Sequence, residues 1–149
     1  QGYEAKLVFA GTQKYWTKSM KEVYSSLKYQ NDVIFTGYVS TQRLNEIISS
    51  SESLLYVSYF EGFGVPILEA FSCGVPVITS NVTAMPEVAG DAAILVNPYN
   101  MTEITHAMIE IFTNKTLHAE LVLKGKKQLK KFSWDATADQ LWKTIDKFL

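Results

Sequence analysis

The stretch Ser58-Tyr-Phe-Glu-Gly-Phe-Gly-Val-Pro-Ile-Leu-Glu-Ala-Phe-Ser-Cys-Gly-Val-Pro-Val-Ile78 carries the most information in this chain. The aliphatic run Leu54-Leu-Tyr-Val-Ser58 before it reads as a strand, and the run Val75-Pro-Val-Ile-Thr79 at its end reads as another. Between them lie a loop holding Gly62 and Gly64 and a segment, Val65 to Ser72, with helical periodicity. Pro66 suits the first helical position, where its missing N–H costs nothing. A strand, a glycine loop, a helix and a second all-apolar strand make one βαβ unit. Such strands are buried on both faces, which points to a parallel sheet.

The same alternation extends in both directions. Upstream, Lys6-Leu-Val-Phe-Ala-Gly11 reads as a buried strand and Lys14 to Lys28 as a helix, with Met20, Val23, Tyr24 and Leu27 on one face. Asp32-Val-Ile-Phe-Thr-Gly37 is the next strand, and Ser40 or Thr41 caps a helix running to about Ser51. Downstream, a short helix over Met85 to Ala89 leads to the strand Ala93-Ile-Leu-Val96. From Thr102 onward the chain reads as three helical pieces. Gly125 weakens the middle of the second, and Ser133 caps the third. The expected fold class is α/β: a doubly wound, Rossmann-like parallel sheet with helices on both faces, in one domain over residues 1–149.

Composition narrows the function classes. The chain has 149 residues, 47% hydrophobic and 19% charged, which suits one globular domain and excludes disorder as its main state. Fourteen basic residues against 15 acidic ones give a net charge of −1, so electrostatics supplies no reason to expect nucleic acid as a partner. Cys73 is the single cysteine, which excludes an internal disulfide framework and a multi-cysteine metal site. No apolar run approaches the ~20 residues of a membrane span, and the chain does not open on a basic-then-apolar leader. A reducing, cytoplasmic setting fits these features.

Chemistry gathers around the glycine loop. Free backbone N–H groups at a helix start form an anion site, reinforced by the helix dipole. Glycine lets a phosphate approach the backbone closely, and in open parallel sheets ligands sit at this strand-to-helix edge. Glu61 precedes the helix, and Glu69 is expected on its first turn, ~4.5 Å along the axis from Pro66. A carboxylate is repelled by phosphate but accepts two charge-assisted hydrogen bonds from vicinal hydroxyls. The pattern therefore suits a molecule with hydroxylated rings on both sides of a phosphate, as in a nucleotide-sugar. The plainer alternative for Glu69 is the dipole preference for Glu near a helix start.

Glu61, seven intervening residues and Glu69 resemble the Glu-x7-Glu signature of retaining glycosyltransferases with the GT-B fold, the glycosyl transferases group 1 family. The surrounding string is similar to that family's core, and Met85-Pro-Glu-Val-Ala-Gly-Asp-Ala-Ala-Ile-Leu-Val-Asn-Pro98 resembles the loop and strand that follow it. Phe35-Thr-Gly-Tyr-Val39 resembles the segment closing over the nucleotide base, and Phe132-Ser-Trp134 the start of the last helix. The resemblance implies that Glu69 holds the ribose and that Glu61 contacts donor-sugar hydroxyls and stabilises the transition state. It implies that backbone at Gly62, Phe63, Gly64 and Val65 meets phosphate and sugar, and that Tyr38 and Val39 border the base. It also implies a hexosyl-type enzyme of polysaccharide or glycoconjugate biosynthesis, with retention of configuration, no cofactor and no metal requirement. The partners would be a nucleotide-sugar donor and a sugar or lipid-linked acceptor, the setting cytoplasmic and peripheral to the membrane face in a longer enzyme.

Against the family pattern, the chain corresponds to the C-terminal, donor-binding half of a GT-B enzyme. It has no counterpart of the N-terminal acceptor domain, nor of the opening strand of the second domain with its basic diphosphate-binding pair. The expectations are poor donor affinity, no glycosyl transfer by this chain alone, and two exposed strand edges. Such edges would close on each other or be covered by self-association. Two other readings stay open: a GT-B-type sugar epimerase or phosphorylase, and a non-catalytic doubly wound binding module.

The remaining residues have plainer roles. His106 and His118 read as surface or satisfied helix histidines, and Cys73 as a structural thiol. Trp16, Trp134 and Trp142 read as core or inter-domain packing. Lys124 to Lys131 reads as a solvated helix face. The sequons at Asn81, Asn100 and Asn114 read as chance.

Overall fold

The computed structural model describes residues 4–148, in two compact units divided between Glu46 and Ile47. In the first unit, β1 (Leu7–Ala10) and β2 (Val33–Gly37) pair in parallel, from Leu7 opposite Val33 to Ala10 opposite Gly37. They are joined through α1 (Lys18–Ser25), whose first turn is capped by Thr17 accepting the Met20 N–H at 3.2 Å. The Trp16 ring stands edge-on to Phe9, Tyr24 and Phe35, at 5.0–6.2 Å between ring centres. Helix α1 is shorter than the expected span of Lys14 to Lys28, and Trp16 lies before it.

Burial is the main correction in this unit. The first strand is not buried: Val8 and Phe9 are exposed, and α1 has no buried residue. Two strands and one helix offer too little apolar partner surface to enclose one another. Met20, Val23, Tyr24 and Leu27 do share a helix face, as expected, but they line an open apolar hollow of about 320 Å³ with Leu7 and Phe9.

Helix α2 (Thr41–Ser49) leads into the second unit, where β3 (Leu54–Tyr56), β4 (Val77–Ser80) and β5 (Ala93–Val96) form a parallel sheet in the order β3-β4-β5. Every residue of β4 is buried, as a central strand covered on both faces should be. Side chains alternate across a strand. Accordingly, Ile78 and Val96 pack with Ala107, Ile111 and Leu121, from α5 (Met101–Thr113) and α6 (Lys115–Leu129). Against β3 and β4 lies α3 (Val65–Ser72), with Ile67, Ala70 and Phe71 buried, and α4 (Met85–Ala89) joins it there.

Helix α3 ends in a Schellman turn. The Val75 N–H donates to Ala70 O at 2.9 Å and the Gly74 N–H to Phe71 O at 3.1 Å, with Gly74 at φ +71°. This turn is what Cys73-Gly-Val-Pro76 encodes, and it returns the chain into β4. Ser133 caps α7 (Trp134–Ile145) by accepting the Ala136 N–H at 3.1 Å, as expected. Trp134 and Trp142 are exposed on α7, so neither forms a core within this unit.

The described strands therefore form two sheets, not one continuous one: β1 bonds only to β2, and β3 only to β4.

Candidate functional site

At the carboxyl end of β3 the backbone is held by hydroxyls from the neighbouring strand. Ladder pairing stops at Tyr56 opposite Thr79. Thr79 Oγ1 donates to Tyr56 O at 2.8 Å and Ser80 Oγ to Ser58 O at 2.5 Å, both from fully buried side chains. The two hydroxyls extend the order of the sheet past its last pair and fix where the glycine loop begins.

Glu61 is held at both ends. Its Oε1 accepts from Tyr56 Oη at 2.5 Å and from Ser58 Oγ at 2.9 Å. Its backbone N–H donates to Thr83 Oγ1 at 3.2 Å. Thr83 has φ +55°, the only non-glycine among the described residues in the left-handed region. That conformation is costly for a β-branched residue. Among the described residues Oε2 of Glu61 has no hydrogen-bond partner.

Helix α3 starts without a side-chain cap. Gly64 is its N-cap at φ +102°, and a Cβ there would lie 3.1 Å from Ile67 Cδ1, so backbone freedom and space both call for glycine. Pro66 is the second helical residue, one place later than expected. The Ile67 N–H is taken by Gly64 O at 3.0 Å. The N–H groups of Gly64 and Val65 find no acceptor among the described residues, as is usual at an uncapped helix start.

Glu69 is half-buried in the second turn of α3, not the first, because the helix begins at Val65 and carries no acidic residue in its first turn. The dipole preference falls off within the first turn and so loses force as an explanation for this glutamate. No side chain among the described residues hydrogen-bonds its carboxylate. Its charge is felt at Tyr56, whose hydroxyl is pushed up to about 12 by burial first, then by the hydrogen bond and charge of Glu61, then by the charge of Glu69. The two glutamates thus act on one phenol.

The other expected residues divide between the units. Gly62 and Phe63 are exposed in the loop before α3, and the Phe63 ring stands edge-on to Phe132 at 5.8 Å. Tyr38 and Val39 belong to the first unit and follow β2, Tyr38 exposed and Val39 half-buried. Tyr56 and Thr83 were not expected as site residues. The available signal for Tyr56 was a phenol in an aliphatic strand, two residues before Ser58 and so on the same face. Thr83 gave no signal.

His106 is exposed on α5. His118 on α6 reaches Glu52 O at 3.1 Å through Nε2. Asn100 and Asn114 cap α5 and α6 with their side chains. Lys124 pairs with Glu120 at 2.8 Å and Asp91 at 3.4 Å. Among the described residues no helix is long and apolar enough to cross a membrane.

The parallel α/β arrangement is that of the GT-B fold. The chain belongs to the glycosyl transferases group 1 family, whose model matches residues 1–128. It is 38% identical over 106 residues to O-antigen chain mannosyltransferase B of Escherichia coli, covering 71% of this chain and 28% of that protein. To the serotype-specific mannosyltransferase WbdA of Escherichia coli it is 34% identical over 109 residues, 73% of this chain and 13% of that one. Among solved structures it shares the fold of Anabaena Alr3699/HepE in complex with UDP and glucose. The TM-score is 0.82 at 17% identity, over 95% of this chain and 40% of that one. The same protein in complex with UDP-glucose gives a TM-score of 0.81 at 18% identity, over 95% and 41%. The chain thus spans well under half the length of these relatives.

Proposed function

We propose that this chain is the donor-binding part of a group 1 glycosyltransferase. It binds a nucleotide-sugar and supports retaining transfer of the glycosyl group to a sugar or lipid-linked acceptor. The observation that carries the reading is the pairing of unused donors and acceptors around one helix start. The N–H groups of Gly64 and Val65, Oε2 of Glu61 and the carboxylate of Glu69 are all without hydrogen-bond partners among the described residues.

In this reading the diphosphate meets the N–H groups at Gly64 and Val65, and Glu69 accepts the ribose hydroxyls. Glu61 takes a donor-sugar hydroxyl through its free oxygen. As the bond from the anomeric carbon to the phosphate oxygen breaks, its electron pair moves onto the diphosphate. The helix-start dipoles stabilise that charge, and the Glu61 carboxylate stabilises the cationic sugar. Backbone at Gly62 and Phe63 meets the sugar. The relatives' names support a mannosyl donor; the structural neighbour's bound UDP-glucose supports a nucleoside diphosphate sugar in general.

The deciding experiment is calorimetry of the chain with UDP-glucose and GDP-mannose, each against its free nucleotide. Binding that depends on the sugar supports the transferase reading. Absence of binding by all four favours a non-catalytic module.

A further inference from the structure

We propose that Tyr56 is a positioning residue for Glu61. Together with Ser58 it occupies one carboxylate oxygen and so aims the other at the donor sugar. The inference rests on the reading above, and its own support is geometric. Tyr56, the last residue of β3, and Ser58, two residues on, converge on the same atom, Oε1, at 2.5 and 2.9 Å. Both carbonyls of these two residues are anchored by buried hydroxyls of Thr79 and Ser80, so the donors cannot drift with the loop. Thr83 holds the backbone of Glu61 from a strained conformation.

A glutamate in a glycine-bounded loop has three side-chain torsions to settle. With Oε1 fixed by two hydroxyls and the main-chain N–H fixed by a third, those torsions are set before a ligand arrives. Oε2 remains the single open acceptor of this carboxylate. The arrangement spares the donor complex the cost of ordering a free side chain. The high pKa of the Tyr56 hydroxyl keeps it a hydrogen-bond donor throughout the neutral and mildly alkaline range.

The test compares dissociation constants for UDP-glucose, UDP, GDP-mannose and GDP, by calorimetry, in wild type, Tyr56→Phe, Ser58→Ala, Glu61→Ala and Tyr56→Phe/Glu61→Ala. The quantity read is the ratio of nucleotide to nucleotide-sugar dissociation constants. Glu61→Ala is expected to remove that ratio's advantage. Tyr56→Phe is expected to cut it roughly tenfold while leaving the free nucleotide within about twofold, and to add nothing once Glu61 is gone. Ser58→Ala is expected to cut it several-fold, and it decides the matter if Tyr56→Phe does not fold. A ratio kept in both single variants but lost in Glu61→Ala overturns the inference and leaves the donor-binding reading standing. Equal weakening of both ligands by Tyr56→Phe, or additive losses in the double variant, also overturns it. A wild-type ratio of one overturns the donor-sugar reading and the inference with it.

Discussion

Gly125 offers a test in which elementary helix propensity and tertiary packing predict opposite signs. It lies well inside α6, where Gly→Ala ordinarily stabilises by ~1 kcal/mol. In the fold, however, Gly125 is buried against Phe71 of α3, and a Cβ would lie 2.7 Å from Phe71 Cδ1 and 3.2 Å from both Cγ and Cε1. Comfortable carbon contacts need ~3.5 Å, so the nearest overlap is roughly 0.8 Å. Spinning the ring cannot relieve the contact with Cγ, which lies on the rotation axis. Phe71 is only 2% exposed and has little room to retreat. Either α6 lifts off α3 or the ring leaves its rotamer, and overpacking of this kind costs ~1–3 kcal/mol. Towards the upper end, minus the propensity gain, Gly125→Ala should destabilise by roughly 1–2 kcal/mol. For a chain of this size that lowers Tm by about 2–8 °C. Urea unfolding with an unchanged m-value is the assay. Shortening the neighbour with Phe71→Leu should make the added methyl cheaper, giving a coupling above ~0.5 kcal/mol in a double-mutant cycle. A Gly125→Ala protein more stable than wild type would refute the reasoning.

Three further outcomes are expected. Glu69→Ala should weaken nucleotide binding by roughly 1.5–3 kcal/mol per charge-assisted hydrogen bond lost, and a 2′,3′-dideoxy nucleotide binding as tightly as the natural one would count against the ribose role. Gly64→Ala should cost about 1–2 kcal/mol of stability, because alanine is strained at φ +102°, and should weaken nucleotide affinity beyond that; unaltered affinity in a folded variant would argue against the phosphate site. Tyr56 has a folded pKa of about 12 against an ordinary 10.0, so its contribution is fully present below pH 10 and is lost as pH rises through about 12. Allowing for screening at a half-buried site, the loss should be roughly 1 kcal/mol. Tyr56→Phe should lack it, as read from the difference between the two proteins' urea midpoints across that range.

How legible the site was depended on whether its chemistry was local. Glu61, Gly64, Val65 and Glu69 lie within one strand–loop–helix passage, so their shared position followed from spacing. What spacing misjudged was phase. The helix begins at Val65, which puts Pro66 second and moves Glu69 out of the first turn. The roles of Thr79, Ser80 and Thr83 were illegible because each acts on a residue more than 20 positions away, across the sheet edge. The packing role of Gly125 was hidden for a related reason. Its propensity cost is a property of α6, but its use is to admit a ring from α3.

Sequence alone was enough for the order and type of the elements, the parallel sense of the strands and the grouping of the two glutamates in one strand–loop–helix passage. Hydrophobic period, caps and glycines act over a few residues, and they are present in any stretch long enough to hold an element. Only the tertiary structure decided which strands pair. The apolar run of β1 promised burial, yet β1 is exposed, while β4 is enclosed on both faces. Burial is a property of what surrounds a strand, and β3, α3, α4 and α5 all pack on β4. The aim of Glu61 belongs to the same category. A side chain's type says which bonds it can make, but its direction is settled by the hydroxyls that the fold brings to one of its oxygens.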